Sequence, residues 1–174
     1  MRILVTGAAG FVGSVLCPML LREGHQVTAF DALLYGGQGL LGPFQHENFR
    51  FIKGDVRASA EVENAVQEAD AVIHLAAIVG FPACRKHPEL AKETNVIGTK
   101  NVVDSLSSNQ LLVYASSGSN YGVVEDCCTE ESPLNPVSLY AITKAEGEKL
   151  SLSHKNAVAL RFATGYGISP RMRF

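Results

Sequence analysis

The sequence predicts an α/β protein built on a doubly wound parallel sheet with helices on both faces. Its apolar runs are short and continuous, which is typical of parallel strands that are buried on both faces. These runs alternate with segments of helical spacing, and such β-α-β order places helices on both sides of one sheet. The first apolar run also leads directly into a glycine-rich turn. With 174 residues, we expect one domain over 1–174.

The first half of the chain predicts three strands and two helices. The strand-like runs are RILVT at 2–6, QVTAF at 26–30 and FRFIKG at 49–54. Helical spacing follows the first and the third of these strands, over about 11–23 and 59–69. A glycine-rich loop at 31–48 separates the second strand from the third.

The second half predicts three more strands and two longer helices. The apolar runs are AVIHLAA at 71–77, LLVYASS at 111–117 and NAVALRFAT at 156–164. The helices are predicted over 88–108 and 138–154, one before and one after the fifth strand.

Charge and hydropathy exclude several classes of partner. The net charge of -2 and the pI near 6.2 give no electrostatic basis for binding nucleic acid or an anionic membrane. No apolar run reaches the roughly 20 residues of a membrane span. The N-terminal MRILVTGAAG lacks the apolar core and cleavage site of a signal peptide. We therefore expect a cytoplasmic protein.

The cysteines and histidines predict no metal site. Cys17, Cys84, Cys127 and Cys128 do not have zinc-finger spacing, and the five histidines form no cluster. In a reducing cytosol we expect free thiols. A disulfide between the adjacent Cys127 and Cys128 is the alternative, and its geometry would be strained. His74 lies in a predicted strand, so we interpret it as a core histidine rather than a catalytic base.

The turn after the first strand has the composition of a dinucleotide site. TGAAGFVG places Gly7, Gly10 and Gly13 between a strand and a helix. One glycine permits the sharp turn, one lets the backbone approach a pyrophosphate, and one lets the helix pack on the strand. The helix N-terminus then directs its positive dipole end at the phosphates. This context predicts a Rossmann fold that binds a dinucleotide.

Two aspartates follow the second and third strands. Asp31 comes 18 residues after Gly13, near the position of the acidic residue that accepts hydrogen bonds from the adenosine ribose. Its charge would repel a 2′-phosphate, and no Arg or Lys lies between it and Arg50, so we expect NAD rather than NADP. An Asx turn is the alternative interpretation of Asp31. For Asp55, a cofactor contact and a loop carboxylate before a helix are equally open.

Tyr140 and Lys144, in YAITK, stand one helical turn apart and therefore share a helix face. A phenol titrates near pH 10, and an adjacent ammonium favours phenolate, which makes the phenol a better general base. Ser116, Ser117 and Ser119 follow at the carboxyl end of the fifth strand, where open α/β sheets bind ligands.

These residues resemble the extended short-chain dehydrogenase/reductase superfamily, specifically its NAD-dependent epimerase/dehydratase branch. The resemblance covers essentially the whole chain. It rests on eight motifs in the expected order: TGAAGFVG, FD at 30–31, GDVR at 54–57, HLAA at 74–77, NVIGTKNV from Asn95, YASSGSNYG, YAITK and RFATGYGISPR.

The resemblance implies roles for individual positions. Tyr140 is expected to act as catalytic base and acid, Lys144 to lower its pKa and bind the nicotinamide ribose, and Ser117 to bind the substrate oxygen, with Ser119 beside it. Asn95 is expected to support the active-site backbone. The implied cofactor contacts are Gly7, Gly10, Phe11, Val12, Gly13, Asp31, Asp55, Val56, Leu75, Ala76, Ala77, Asn95, Tyr140, Lys144 and Thr164.

One departure from the family bears on the reaction. The sugar-nucleotide 4,6-dehydratases of this branch place an Asp-Glu pair after the strand-five hydroxyl, where this chain has Gly118 and Ser119. Dehydration of a nucleotide-sugar is therefore disfavoured, and epimerisation through a transient keto intermediate is the main expectation. The alternatives are a reductase or dehydrogenase of a carbonyl substrate and a non-catalytic NAD-binding module.

The resemblance also carries expectations about domain organisation and assembly. Members of this branch are longer, and their second half binds the nucleotide-sugar, so 1–174 is expected to be the NAD-binding domain without the C-terminal substrate domain. Helices at 88–108 and 138–154 would form the interface of a homodimer.

Overall fold

A computed structural model describes residues 1–125 and 127–172, and these contain one parallel sheet of six strands in the order β3-β2-β1-β4-β5-β6. The strands are β1 (Arg2–Thr6), β2 (Gln26–Asp31), β3 (Phe49–Lys53), β4 (Ala71–His74), β5 (Leu111–Ser117) and β6 (Ala157–Phe162). This is the strand order of a doubly wound dinucleotide-binding sheet. The predicted fold class is therefore confirmed.

Helices connect the strands on both faces of the sheet. They are α1 (Gly13–Arg22), α2 (Ser59–Gln67), α3 (Phe81–Lys86), α4 (Pro88–Lys92), α5 (Gly98–Ser105) and α6 (Leu139–Ser151). A π-helical turn, Glu93–Ile97, joins α4 to α5. Short 3₁₀ turns occupy Gln38–Leu40, Pro43–Gln45 and Gly118–Tyr121.

The apolar runs are continuous because the inner strands are covered on both faces. In β1, Leu4 packs in one core cluster with α2 and α5 residues, whereas Ile3 and Val5 pack in the other with α1 residues. Strand β6 differs from the prediction, because alternate residues are exposed along it and Val158, Leu160 and Phe162 are each more than 40% exposed. An edge strand buries one face less completely than a central one.

A predicted strand and a predicted helix end earlier in the structure, and one short helix was not predicted. The predicted strand 71–77 ends at His74, and the chain then leaves the sheet. The predicted helix 88–108 ends at Ser105, because Leu106 has extended backbone, and it is interrupted by the π turn. Helix α3 was not predicted, since its six residues are too few to show helical periodicity.

Parallel pairing brings the carboxyl ends of the strands to one edge. Thr6 of β1 pairs with Phe30 of β2 and with His74 of β4, and Ser117 of β5 pairs with Phe162 of β6. The strand order reverses between β1 and β4, which is where open α/β sheets form their ligand crevice. Over the described part of the chain, no helix is long and apolar enough to cross a lipid bilayer.

Candidate active site

A cleft of about 1610 Å³ opens at the carboxyl ends of the strands. It is larger than the roughly 300–1,000 Å³ that is usual for a single drug-sized ligand. All but one of the predicted site residues line it. They are Gly7, Gly10, Phe11, Val12, Gly13, Asp31, Asp55, Val56, Leu75, Ala76, Ala77, Ser117, Ser119, Tyr140, Lys144 and Thr164.

The exception is Asn95, which was predicted to contact the cofactor. Its side chain is fully buried in the π turn behind the cleft. Its Oδ1 accepts a hydrogen bond from the Ile78 N–H at 2.8 Å, and its Nδ2 donates to the Ile78 carbonyl and to Thr143 Oγ1. Asn95 thus does not line the cleft itself, and it holds the backbone of Ile78, which does.

The three glycines of the first turn have different surroundings. Gly7 has φ of 69°, and a Cβ there would lie 2.7 Å from the backbone N of Ala76, two residues after β4. A Cβ on Gly13 would lie 2.6 Å from both Cα and O of Ala8. A Cβ on Gly10 would meet just the Gly7 carbonyl, at 3.0 Å. Gly7 and Gly13 thus serve the chain's own packing, and Gly10 leaves its backbone accessible from the cleft.

Asp31 connects the end of β2 to this glycine turn. One carboxylate oxygen accepts the Ala9 N–H at 3.0 Å, and the other accepts the Leu33 N–H at 2.7 Å in an Asx turn. Partial burial raises the pKa of Asp31, and the two N–H groups oppose that rise. Each carboxylate oxygen has a second lone pair, so the Asx turn and a ribose contact are compatible.

Asp55 lies on the same side of the cleft in an ion pair. Its carboxylate is 2.6 Å from Arg57 Nη2, and its Oδ1 also accepts the Arg57 backbone N–H at 2.9 Å. The Arg57 side chain lowers the pKa of Asp55. Val56 beside it is buried and packs against Gly98, where a Cβ would come within 2.6 Å of Val56 Cγ2.

Helix α6 supplies the phenol and the ammonium on the opposite side. Ser138 caps the helix by accepting the Ala141 N–H at 3.2 Å. Tyr140 packs against the small cluster of Ile78, Cys84 and Ala91, and it lines the cleft. Lys144 is 3% exposed, and its Nζ lies 4.1 Å from the centroid of the Tyr114 ring.

Burial shifts the pKa values of Lys144 on α6 and of His74 on β4. It lowers the pKa of Lys144 to about 7, and the charge of Glu148 opposes the fall. It also lowers the pKa of His74 to about 3, so this ring is neutral at pH 7. His74 bonds Thr6 Oγ1 through Nδ1 and Thr99 Oγ1 through Nε2, which bears out its interpretation as a core histidine.

The three predicted serines separate into two groups. Ser117 is 6% exposed, its Oγ accepts the Ser119 N–H at 3.2 Å, and both residues line the cleft. The hydroxyl of Ser116 instead donates to Glu148 Oε2 at 2.5 Å. Ser116 is thus engaged by helix α6, and Ser117 and Ser119 remain the candidates for binding a substrate oxygen.

Sequence reasoning missed a buried network below the cleft. Glu148 joins Ser116, Asn120 and Arg161, and Arg161 also donates to the Tyr121 hydroxyl. One signal was present in the sequence, because Glu148 follows Lys144 by four residues on the same helix. Within 1–125 and 127–172, no group of three or more His, Cys, Asp or Glu side chains is arranged to hold a metal ion.

Comparison with known proteins identifies relatives of the whole chain. The sequence profile of the NAD dependent epimerase/dehydratase family matches residues 3–172. A dTDP-glucose 4,6-dehydratase of Streptomyces niveus is 36% identical over 183 aligned residues, which cover 96% of this chain and 54% of that protein. An uncharacterized UDP-glucose epimerase, YtcB of Bacillus subtilis, is 34% identical, and the alignment covers 99% of this chain and 58% of that protein.

Solved structures agree with this assignment. The UDP-glucuronic acid 4-epimerase of Bacillus cereus, in complex with UDP-glucuronic acid and NAD, superposes with a TM-score of 0.87 at 31% identity. The alignment covers 98% of this chain and 59% of that one. The chain thus spans about half the length of the curated relatives and structures that it matches.

Proposed function

The chain belongs to the NAD-dependent epimerase/dehydratase family, and on that premise we propose that it binds NAD and serves the epimerisation of a nucleotide-sugar. The observation that carries the proposal is the pairing of two sites in one cleft. The glycine turn and Asp31 line one side, and Tyr140, Lys144 and Ser117 line the other. A dinucleotide that spans the switch point would reach from one to the other.

The glycine turn fits the pyrophosphate of such a cofactor. Gly10 leaves the backbone open at the N-terminus of α1, where the helix dipole favours negative charge. Asp31 adds an acceptor for the adenosine ribose, and its charge favours NAD over NADP. Bound NAD would supply the acceptor for a hydride from the substrate carbon, and the donor that returns it.

The side chains on α6 and β5 perform the proton transfers in this proposal. Tyr140 takes the proton of a sugar hydroxyl while the C–H bond of the carbon that bears this hydroxyl breaks. It returns the proton when the resulting ketone is reduced on the opposite face. The Lys144 ammonium favours the phenolate form, and Ser117 holds the substrate oxygen in line with the phenol.

Two residues support epimerisation rather than dehydration. Elimination of water needs a titratable acid near the strand-five hydroxyl, and the positions after Ser117 hold Gly118 and Ser119. Relatives of both kinds match the chain at similar identity, so overall similarity does not separate the two reactions. The absence of a titratable side chain at these two positions supports epimerisation.

We propose that 1–174 is the NAD-binding domain and that substrate recognition involves a further domain. Apolar side chains beside the cleft support this division, since Tyr166 is 95% exposed and Ile168 is 96% exposed. The exposed face of β6 adds Val158, Leu160 and Phe162 to the uncovered apolar surface. Surfaces of this kind mark contacts with another domain or chain.

A homodimer is part of the proposal. Ile97 on the π turn and Ile142 on α6 are each nearly half exposed, and both lie within the two predicted helices, 88–108 and 138–154. Paired helices would cover them across a two-fold axis. A monomer in light scattering at tens of micromolar would contradict this arrangement.

The decisive experiment identifies the nucleotide released when the purified protein is denatured, and then assays the NAD-loaded protein with UDP-glucose, UDP-glucuronic acid and dTDP-glucose. We expect NAD or NADH, and an epimerised sugar. Tyr140→Phe should abolish turnover and leave NAD binding intact. Tyr166→Phe is the matched control, because it removes an exposed phenol at the same cleft.

Other outcomes revise the proposal. NADP in place of NAD would overturn the role of Asp31. Unchanged turnover in Tyr140→Phe would remove the phenol from the mechanism. NAD binding without turnover of any sugar would favour a non-catalytic module.

A further inference from the structure

A single buried carboxylate links the two elements that carry the proposed catalytic groups. Glu148 is 3% exposed and lies on α6, one turn after Lys144. Its side chain points toward the end of β5, on which Ser117 lies. A charge this deeply buried is costly unless it is paired and hydrogen-bonded.

Glu148 forms hydrogen bonds on both sides of residues 117–119, which we call the Ser117 segment. Glu148 Oε2 accepts the Ser116 hydroxyl at 2.5 Å and Asn120 Nδ2 at 3.3 Å. Ser116 precedes Ser117 to Ser119, and Asn120 follows them, so one carboxylate holds both ends of the segment. Asn120 also donates to Ser116 Oγ at 3.0 Å, which closes the ring of bonds.

Arg161 of β6 completes the set. Its Nη2 donates to Glu148 Oε1 at 2.6 Å and its Nε donates to Glu148 Oε2 at 3.1 Å, and the side chains are 19% and 5% exposed. The same guanidinium donates to the Tyr121 hydroxyl at 2.9 Å and to the Glu130 carbonyl at 3.0 Å. This geometry is the strong, bidentate kind of arginine–carboxylate pair.

We propose that Glu148 is a positioning residue that ties helix α6 to the Ser117 segment and supplies the negative charge that balances the buried Lys144 ammonium. Its importance for turnover rests on the proposed function. Its effect on Lys144 and on the segment does not.

The charges around Lys144 support this assignment. The titratable groups near Lys144 lie on three elements. Tyr140 and Glu148 lie on α6, the Tyr114 phenol on β5 and the neutral His74 on β4. Burial raises the pKa of Tyr114, so that phenol stays protonated. Glu148 is therefore the anion that favours a charged Lys144, and Arg161 weakens that effect from β6 because it neutralises Glu148.

The two halves of this ion pair should act on Lys144 in opposite directions. Glu148→Gln removes the anion and leaves the Arg161 cation, so Lys144 should lose its proton at lower pH. Arg161→Gln leaves the anion without its partner, so Lys144 should keep its proton to higher pH. Both variants break the same ion pair, and a purely structural role would make them behave alike.

The test follows the Lys144 side chain by NMR in protein labelled with ¹³C at lysine Cε, titrated from pH 5.5 to 9. The Lys144→Arg spectrum identifies the signal. We expect the midpoint to fall by roughly one pH unit in Glu148→Gln and to rise in Arg161→Gln. Glu146→Gln is the matched control, because it removes an exposed carboxylate from the same helix and should leave the midpoint unchanged.

Amide hydrogen exchange across 118–121 tests the positioning role in the same samples. Protection should fall in Glu148→Gln and stay unchanged in Glu146→Gln. Midpoints that move in the same direction, or do not move, would overturn the charge role, and unchanged protection would overturn the positioning role. If Glu148→Gln does not fold, Arg161→Gln decides alone: a raised midpoint supports the proposal, and any other result refutes it.

These measurements need neither cofactor nor substrate. A failure here leaves the proposed NAD and sugar chemistry standing, and a failure of the Tyr140→Phe test leaves the charge role of Glu148 standing.

Discussion

Around β1, α1 and β2 the cleft centres on the backbone of a glycine turn, whereas around β5, α6 and β6 buried ionisable side chains lie beneath it. On the first side, Gly7, Gly10 and Gly13 form the surface, and a Cβ would fill the space at two of them. On the second side, Glu148 and Arg161 form an ion pair, and the charge of Glu148 acts on the pKa of the buried Lys144. The first side thus requires residues that lack a Cβ, whereas the second requires charged side chains.

The two sides of the cleft should therefore be sensitive to different substitutions and conditions. A backbone cradle is destroyed by a single methyl group, and the titratable group that bonds to it is the Asp31 carboxyl, which accepts the Ala9 N–H. A charge network tolerates small changes of shape but responds to pH and to isosteric neutralisation. Variants of each kind should therefore give different signatures in binding, stability and pH dependence.

The largest effect is expected at Gly13. In Gly13→Ala the new Cβ would meet Ala8 Cα and O at 2.6 Å, and these backbone atoms cannot move without opening the turn. We expect the loss of NAD binding and a fall of about 3 kcal/mol in the free energy of unfolding. Calorimetric titration with NAD and urea unfolding measure the two effects.

Gly42→Ala is the control, because Gly42 has helical φ and ψ and nothing lies within 4 Å of the position that its new methyl group would take. It should change stability by less than about 0.5 kcal/mol. Normal NAD binding by Gly13→Ala would refute the backbone cradle.

On the charged side, Lys144 should make stability depend on pH. Burial lowers its pKa to about 7 from 10.5, so below pH 7 both the folded and the unfolded chain carry the charge, and folding bears the full cost of burying it. Between pH 7 and 10.5 the unfolded chain binds a proton that the folded chain does not, so the free energy of unfolding rises with pH.

Lys144→Met removes this cost. We expect the variant to be more stable than the parent at pH 6 by on the order of 3 kcal/mol, and the gap to narrow toward pH 9.5. Lys149→Met, at an exposed position of the same helix, should show no such trend. Parallel pH curves for the parent and Lys144→Met would contradict the burial of a charged lysine.

A glycine on the charged side gives the most direct comparison with Gly13. Gly147→Ala should help helix α6 by about 1 kcal/mol on propensity alone. Its Cβ would, however, lie 2.2 Å from the hydroxyl of Tyr114, which is fully buried. We expect overpacking to prevail, with a net loss of about 2 kcal/mol in urea unfolding. A stabilised Gly147→Ala would show that Tyr114 can move aside.

The smallest effect is expected for Asp31, whose carboxylate lies on the backbone side of the cleft. Asp31→Asn keeps an oxygen for one of the Ala9 and Leu33 N–H groups, places its amide NH2 against the other, and removes the charge that favours NAD over NADP. We expect NAD affinity to fall about tenfold, or ~1.4 kcal/mol, and the preference over NADP to shrink. Asp104→Asn, exposed on α5, is the control, and an unchanged preference would exclude Asp31 from cofactor selection.

The sequence by itself determined the elements and the local motifs. The order of the strands and helices, the glycine turn and the one-turn spacing of Tyr140 and Lys144 are all written in neighbouring residues. They could be predicted because hydrophobic period and glycine geometry act over a few residues. The differences between prediction and structure arise because the patterns are local. Residues 75–77 are apolar and were predicted as strand, yet they leave the sheet and line the cleft. Asn95 was predicted on a helix near the cofactor, but its side chain is buried behind the cleft.

The tertiary structure alone decided the environment of each group. Glu148 and Arg161 are ordinary charged residues in the sequence, and Gly147 is an ordinary helix glycine. Because α6 packs on β5 and β6, Glu148 and Arg161 form an ion pair that is largely buried. The same packing places the Tyr114 hydroxyl where a Cβ on Gly147 would lie. Desolvation and charge pairing depend on which distant segments exclude water from a site, and no local pattern encodes that.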